Sequence, residues 1–152
     1  MSRLPIEEIL PEIHRALATG QNALISAPPG SGKTTCIPLA LLNASWLAEK
    51  KLLLLEPRRL AARAAARYMA TQRQEHIGET VGYRMRLDTK VGPNTRLEVV
   101  TEGVLTRLLQ QDPSLEAYGI VMFDEFHERS VQADLGLTLC RETQRLFRPD
   151  LR

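Results

Sequence analysis

Nine consecutive residues constrain this chain more than any others: Ala27-Pro28-Pro29-Gly30-Ser31-Gly32-Lys33-Thr34-Thr35. Before them, Asn22-Ala23-Leu24-Ile25-Ser26 reads as a short buried strand, and after them Cys36 to Leu42 reads as a helix. Strand, glycine-bearing loop and helix, in that order, are the context a phosphate-binding loop requires. Gly30 and Gly32 can take backbone angles closed to other residues, so successive N–H groups can line one concavity. The concavity opens the following helix, whose free N–H groups and dipole favour an anion. A triphosphate would sit against Pro29, Gly30, Ser31, Gly32, Lys33, Thr34 and Thr35. Lys33 would reach the β- and γ-phosphates, and the Thr34 hydroxyl would coordinate Mg²⁺. Ala27 stands where the usual pattern begins with glycine, which leaves Gly-Lys-Thr intact. The bland alternative is a Gly/Pro turn carrying an exposed lysine, and it does not explain the flanking elements.

A length of 152 residues suits one domain with a real core, and 43% hydrophobic with 25% charged residues excludes a disordered or fibrous chain. Net charge is +2, so no overall cationic field marks a polyanion partner. Any nucleic-acid surface must come from where the arginines sit. Cys36 and Cys140 lie in apolar helical patterns without histidine or cysteine neighbours, and read as reduced core thiols. Met1 to Pro5 lacks the apolar run of a signal peptide, and no segment approaches membrane-spanning length. The expected compartment is the cytoplasm, with no membrane partner. Arg148-Pro149-Asp150-Leu151-Arg152 reads as a loop leading onward, the expectation for a piece of a longer protein.

Along the chain, Ile6 to Ala18 carries Ile6, Ile9, Leu10, Ile13 and Leu17 on one helical stripe, with Pro11 dividing it into two short helices. Lys51-Leu52-Leu53-Leu54-Leu55 has the continuous apolar pattern of a strand covered on both faces. It runs through Glu56-Pro57-Arg58-Arg59 into an alanine-rich helix, Leu60 to Ala70. Arg58 and Arg59 thus fall where a parallel strand ends, the edge at which open α/β sheets bind ligands. Two cations at a helix N-terminus oppose its dipole unless an anion is near. Val81 to Arg86 alternates like a strand, with Arg84 and Arg86 on one face. Arg96 to Val100 is another strand, followed by Thr101, a routine helix N-cap when taken alone, and a helix from Val104 to Gln110. Gly119 to Phe123 is the most buried-looking strand, and it delivers Asp124-Glu125-Phe126-His127-Glu128-Arg129. Carboxylates directly after an apolar strand need a partner. Asp124 can hold the Mg²⁺ that touches Thr34, and Glu125 can take a proton from an attacking water. The alternation of helices and strands predicts an α/β fold, a mainly parallel sheet between helices.

Four stretches resemble motifs I, Ia, Ib and II of the DEAH-box ATP-dependent RNA helicases. They are Ala27 to Thr35, Pro57-Arg58-Arg59-Leu60-Ala61-Ala62, Thr101-Glu102-Gly103, and Asp124 to Arg129. Gly82 to Arg86 and Val91 to Val100 narrow the resemblance to the bacterial HrpB group, as does Phe126 in a position where most DEAH proteins have alanine. The resemblance implies a RecA-like P-loop NTPase domain, the first of two in the motor. By that resemblance Lys33 and Thr34 bind ATP and Mg²⁺, Asp124 holds the metal, Glu125 positions water, and His127 couples the site to the second RecA-like domain. Arg58, Arg59 and Thr101 would contact the backbone of a single strand, with RNA the expected nucleic acid, and the Arg84/Arg86 hairpin would guide it. Arg67 or Tyr68 would stack on adenine, and spacing does not choose between them. The family's Ser-Ala-Thr motif and second-domain arginine fingers do not occur in these 152 residues, so the domain is expected to be cut just before that motif. A P-loop kinase or nucleotide switch acting on a small molecule shares the phosphate loop, but has no need of arginines and Thr101 along one sheet edge. A nucleic-acid module without catalysis would not retain Lys33, Asp124 and Glu125.

Overall fold

The computed structural model describes residues 5–20 and 22–152; Met1 to Leu4, read above for a leader, lie outside the described residues. The leucine run forms β1 (Lys51–Leu55), with every residue after Lys51 buried. It pairs in parallel with β4 (Leu97–Val100) on one side and β5 (Tyr118–Phe123) on the other. Beyond β4 lies β2 (Val81–Met85), also parallel, and an antiparallel hairpin adds β3 (Asp88–Lys90). The order is β3-β2-β4-β1-β5.

Period-two alternation sorts the sheet's side chains between two cores. Leu52 and Leu54 of β1, with Leu97 and Val99 of β4, face α1 (Leu10–Ala18), α2 (Lys33–Leu41) and α3 (Arg59–Gln72). Leu53, Leu55 and Val100 face α4 (Glu102–Gln111) and α5 (Val131–Leu146). Both faces of the sheet are thus covered, which is why β1 reads as an unbroken apolar run. Gly136 permits the close crossing of α4 and α5: a Cβ there would lie 2.8 Å from Leu105 Cδ2.

Three local expectations are corrected. Asn22 to Ser26 has no strand ladder with any described residue, and Leu24 is 99% exposed. The run is apolar, but β1 is flanked by β4 and β5, so no strand in the described sheet is free to receive it beside the centre. β5 is an edge strand whose Val121, Met122 and Phe123 are only half-buried; β4 is buried throughout and β1 from Leu52 onward. Its outer side is partly met by Arg152, which donates its N–H to Gly119 O and accepts from Val121 N–H. The first helical stripe does split in two, but the break falls at Ile9, and Pro11 sits in the first turn of α1 where its missing N–H costs nothing.

Candidate nucleotide and nucleic-acid site

β1 and β5 run parallel, so the residues after each, Glu56 to Arg58 and Asp124 to Glu128, meet at the same edge of the sheet. The phosphate loop is built as its residue types require. Gly30 and Gly32 have φ of +76° and +91°, in the left-handed region, and Gly32 forms the N-cap of α2. Thr35 and Cys36 donate their N–H groups to Gly32 O as the helix opens. Ser31 is buried, and its hydroxyl has no protein hydrogen-bond partner. Lys33 Nζ folds back to donate to Ala27 O at 3.2 Å. Pro29 remains exposed at the loop's crest, and Thr35 is half-buried in the first turn.

Thr34, ninety positions before Asp124, donates its hydroxyl to Asp124 Oδ2 at 2.8 Å. The two oxygen donors assigned to one metal from sequence are therefore adjacent. Glu56, immediately after β1, is 4% exposed and lies against Asp124. Burial pushes its carboxyl up to about 8, and the hydrogen bond and charge of neighbouring Asp124 add to the rise. Sequence reasoning gave Glu56 no role; its only signal was a carboxylate at the end of a fully apolar strand. The Thr34 hydroxyl and the Asp124 carboxylate, hard oxygen donors beside a phosphate loop, fit Mg²⁺. Glu125, His127 and Glu128 also bring ligand-type atoms within 4.8 Å of one another. Each of these groups has a protein neighbour: His127 Nε2 lies 3.2 Å from Glu125 Oε2, and Glu128 pairs with Arg58.

Phe126 packs edge-on against Phe123, with ring centroids 5.9 Å apart, and carries the Arg129 guanidinium 5.4 Å above its ring. The aromatic side chain at this position thus braces the turn after β5.

The arginines divide. Arg58 pairs with Glu128, and Arg59 donates to Arg86 O at 2.9 Å, tying α3 to the hairpin. Arg63 supports the same hairpin through Asp88 at 2.6 Å. Arg86 is exposed at its tip, and the half-buried Arg84 donates its Nε to Glu98 Oε2 at 2.9 Å. Glu98 is fully buried and needs that cation, along with Lys51 and the Tyr118 hydroxyl. Arg84 nevertheless keeps 35% of its side chain exposed on the hairpin. Thr101 occupies the N-cap position of α4 but makes no capping hydrogen bond, so the routine reading does not use its hydroxyl. Arg67 and Tyr68 are both exposed on the outer side of α3, and burial does not choose between them.

A glycine-rich loop opening a helix, with a Thr–Asp pair at the carboxyl edge of a parallel sheet, defines a RecA-like P-loop NTPase domain. The chain belongs to the DEAD/DEAH box helicase family, whose profile it matches over residues 7–146. It is 55% identical over all of its 152 residues to the ATP-dependent RNA helicase HrpB of Escherichia coli, covering 19% of that protein. To the ATP-dependent RNA helicase HrpA of Borreliella burgdorferi it is 34% identical, over 94% of this chain and 17% of the relative. The crystal structure of the E. coli DExH-box NTPase HrpB superposes with a TM-score of 0.96 at 55% identity, over 100% of this chain and 19% of that one. The chain therefore spans about a fifth of the length of these relatives. Among the described residues no helix is long and apolar enough to cross a membrane.

Proposed function

We propose that this chain is the nucleotide-binding RecA-like domain of an ATP-dependent RNA helicase motor, which couples ATP hydrolysis to movement along or unwinding of RNA. The observation that carries the reading is the Thr34–Asp124 hydrogen bond, which joins the phosphate loop to the acidic turn at a single point. The names of the relatives, both ATP-dependent RNA helicases, support the choice of nucleotide and polymer. Nothing in the comparisons favours a small-molecule kinase or switch.

Lys33 exchanges its bond to Ala27 O for the β- and γ-phosphate oxygens, and the loop N–H groups and Ser31 hydroxyl take up the rest of the chain. Thr34 and Asp124 would hold Mg²⁺, which when bound neutralises charge developing on the phosphates. Glu125 orients the attacking water and accepts its proton, and His127, whose Nε2 lies 3.2 Å from Glu125 Oε2, transmits the state of the site toward a second RecA-like domain. Arg67 or Tyr68 covers the adenine. Arg58, Arg59 and Thr101 contact the backbone of a single strand, so base identity matters little, and the Arg84/Arg86 hairpin helps guide it. The compartment we assign is the cytoplasm.

The test is strand displacement by the full-length protein on an RNA duplex with a single-stranded overhang. ATP-dependent release of the labelled strand, abolished by Asp124→Asn, is the expected result. ATP hydrolysis without strand release would reduce the reading to an RNA-binding ATPase.

A further inference from the structure

Arg58 leaves the carboxyl end of β1 as the residue before α3, and its guanidinium Nη2 donates to Glu128 Oε1. Its neighbour Arg59 is held by the Arg86 carbonyl. A carboxylate on an arginine occupies the place a phosphate would take, because both present two oxygens to the same fork of donors. Arg58 is 68% exposed and Glu128 34% exposed along their side chains, so a phosphate can approach and the pair can part.

Glu128 is not an isolated surface acid. It closes a single helical turn, Phe126–Glu128, whose first flank is Glu125, and its N–H donates to Glu125 O at 3.0 Å. Glu125 has φ +54° and ψ +32°, a left-handed backbone that a glutamate adopts only where its surroundings impose it. One short turn thus connects the arginine that faces the strand to the carboxylate that faces the water. The Glu125 Oε2 meanwhile lies 3.2 Å from His127 Nε2.

We propose that Glu128 is a stand-in for nucleic-acid phosphate on Arg58, and that exchanging one for the other transmits strand binding to Glu125. The proposal rests on Arg58 being a backbone contact. Without a strand, Glu128 is anchored on Arg58 and the turn holds Glu125 against His127. When a backbone phosphate takes Arg58, Glu128 loses its anchor, the turn relaxes, and Glu125 is released to orient water. Glu128 is a positioning residue in this scheme; it touches neither nucleotide nor strand.

The experiment uses the full-length protein with a single-stranded RNA oligonucleotide, comparing wild type with Glu128→Gln, Arg58→Gln and the double variant. Glutamine keeps the size of Glu128 and removes its charge. Glu128→Gln is expected to bind nucleotide-free RNA about two- to fivefold more tightly, the scale of an exposed ion pair. Its RNA-independent ATP hydrolysis rises and its stimulation ratio falls, while half-maximal stimulation moves to lower RNA concentration. In the Arg58→Gln background the second substitution should change RNA affinity no further. If Arg58→Gln weakens RNA binding but Glu128→Gln leaves affinity and stimulation ratio unchanged, the exchange is wrong and the backbone contact stands. If Glu128→Gln lowers RNA affinity and basal rate together, the pair only braces the turn and the proposal fails. If Arg58→Gln leaves RNA binding unchanged, the underlying assignment of Arg58 falls.

Discussion

Asp134 holds Arg129 through two hydrogen bonds, Nε to Oδ1 at 3.0 Å and Nη2 to Oδ2 at 2.8 Å, while Phe126 packs beneath the guanidinium. The arginine that follows the acidic turn is therefore committed within its own domain. Arg58, Arg59, Arg63 and Arg84 are likewise engaged with protein groups. Phosphoryl transfer needs positive charge on the equatorial oxygens, and an arginine finger contributes about 10³–10⁵ in rate. We predict that residues 1–152 expressed alone bind ATP·Mg²⁺ weakly and release phosphate more slowly than the full-length protein by about that factor. Comparable turnover by the isolated domain would show its catalytic site to be complete.

Lys33 touches only a loop carbonyl at 3.2 Å, so its removal costs the core little. Lys33→Ala should lose about 10- to 100-fold in nucleotide affinity, the scale of one or two hydrogen bonds to a charged group. A fluorescent ATP analogue titrated into both proteins measures it, with circular dichroism confirming the fold. Equal affinities would remove the phosphate-loop assignment.

Arg58 and Arg59 lie side by side at the start of α3, near the same sheet edge as the phosphate site. Changing both to alanine in the full-length protein should weaken single-strand binding about equally for all sequences. It should also reduce the salt slope by roughly one to two units, the signature of lost phosphate contacts. Because Arg59 also holds the Arg86 carbonyl, Arg59→Ala alone should loosen the hairpin and increase its protease sensitivity. A salt slope that does not move would leave the pair a structural one.

Glu98 gives a stability prediction with a definite sign. Burial alone would raise its carboxyl, yet hydrogen bonds from Arg84, Tyr118 and Lys51 hold it below the ordinary glutamate value of 4.5. A carboxyl lowered in the folded state binds fewer protons there than in the unfolded chain. Its contribution is therefore present above about pH 4.5 and lost as pH falls through the lowered folded value. Glu98→Ala should cost about 3 kcal/mol at neutral pH, the low end for a broken buried pair, since Lys51 and Arg84 can turn to water. Urea denaturation followed into the acid range should show the wild type losing its advantage over Glu98→Ala there. A difference independent of pH would mean that packing, not charge, is what Glu98 supplies.

How far the sequence reaches is clearest from pairs of residues. β1, α3 and the phosphate loop are legible because their determinants are local: an apolar run, alanine propensity, and glycines placed where φ is positive. The same local apolarity misleads at Leu24, since a strand exists only where a neighbour supplies its ladder. It misleads again at Met122 and Phe123, whose burial depends on sheet order. The Thr34–Asp124 contact could be expected from chemistry alone, whereas Glu56 beside Asp124, Arg84 on Glu98 and Arg58 on Glu128 could not. In each of those the partner is set by strand register and by turns far away in the chain. Residue type announces a charge that needs company; only the fold says which company it finds.

As proposed, the phosphate loop and the turn after β5 form an ATPase driven by a nucleic-acid strand. The most direct measurement is steady-state phosphate release by the full-length protein, with single-stranded RNA and single-stranded DNA titrated in parallel. Hydrolysis should rise with added RNA, saturate, and be insensitive to RNA base sequence. Hydrolysis indifferent to either polymer, or phosphate appearing on a small-molecule acceptor instead of in solution, would contradict it.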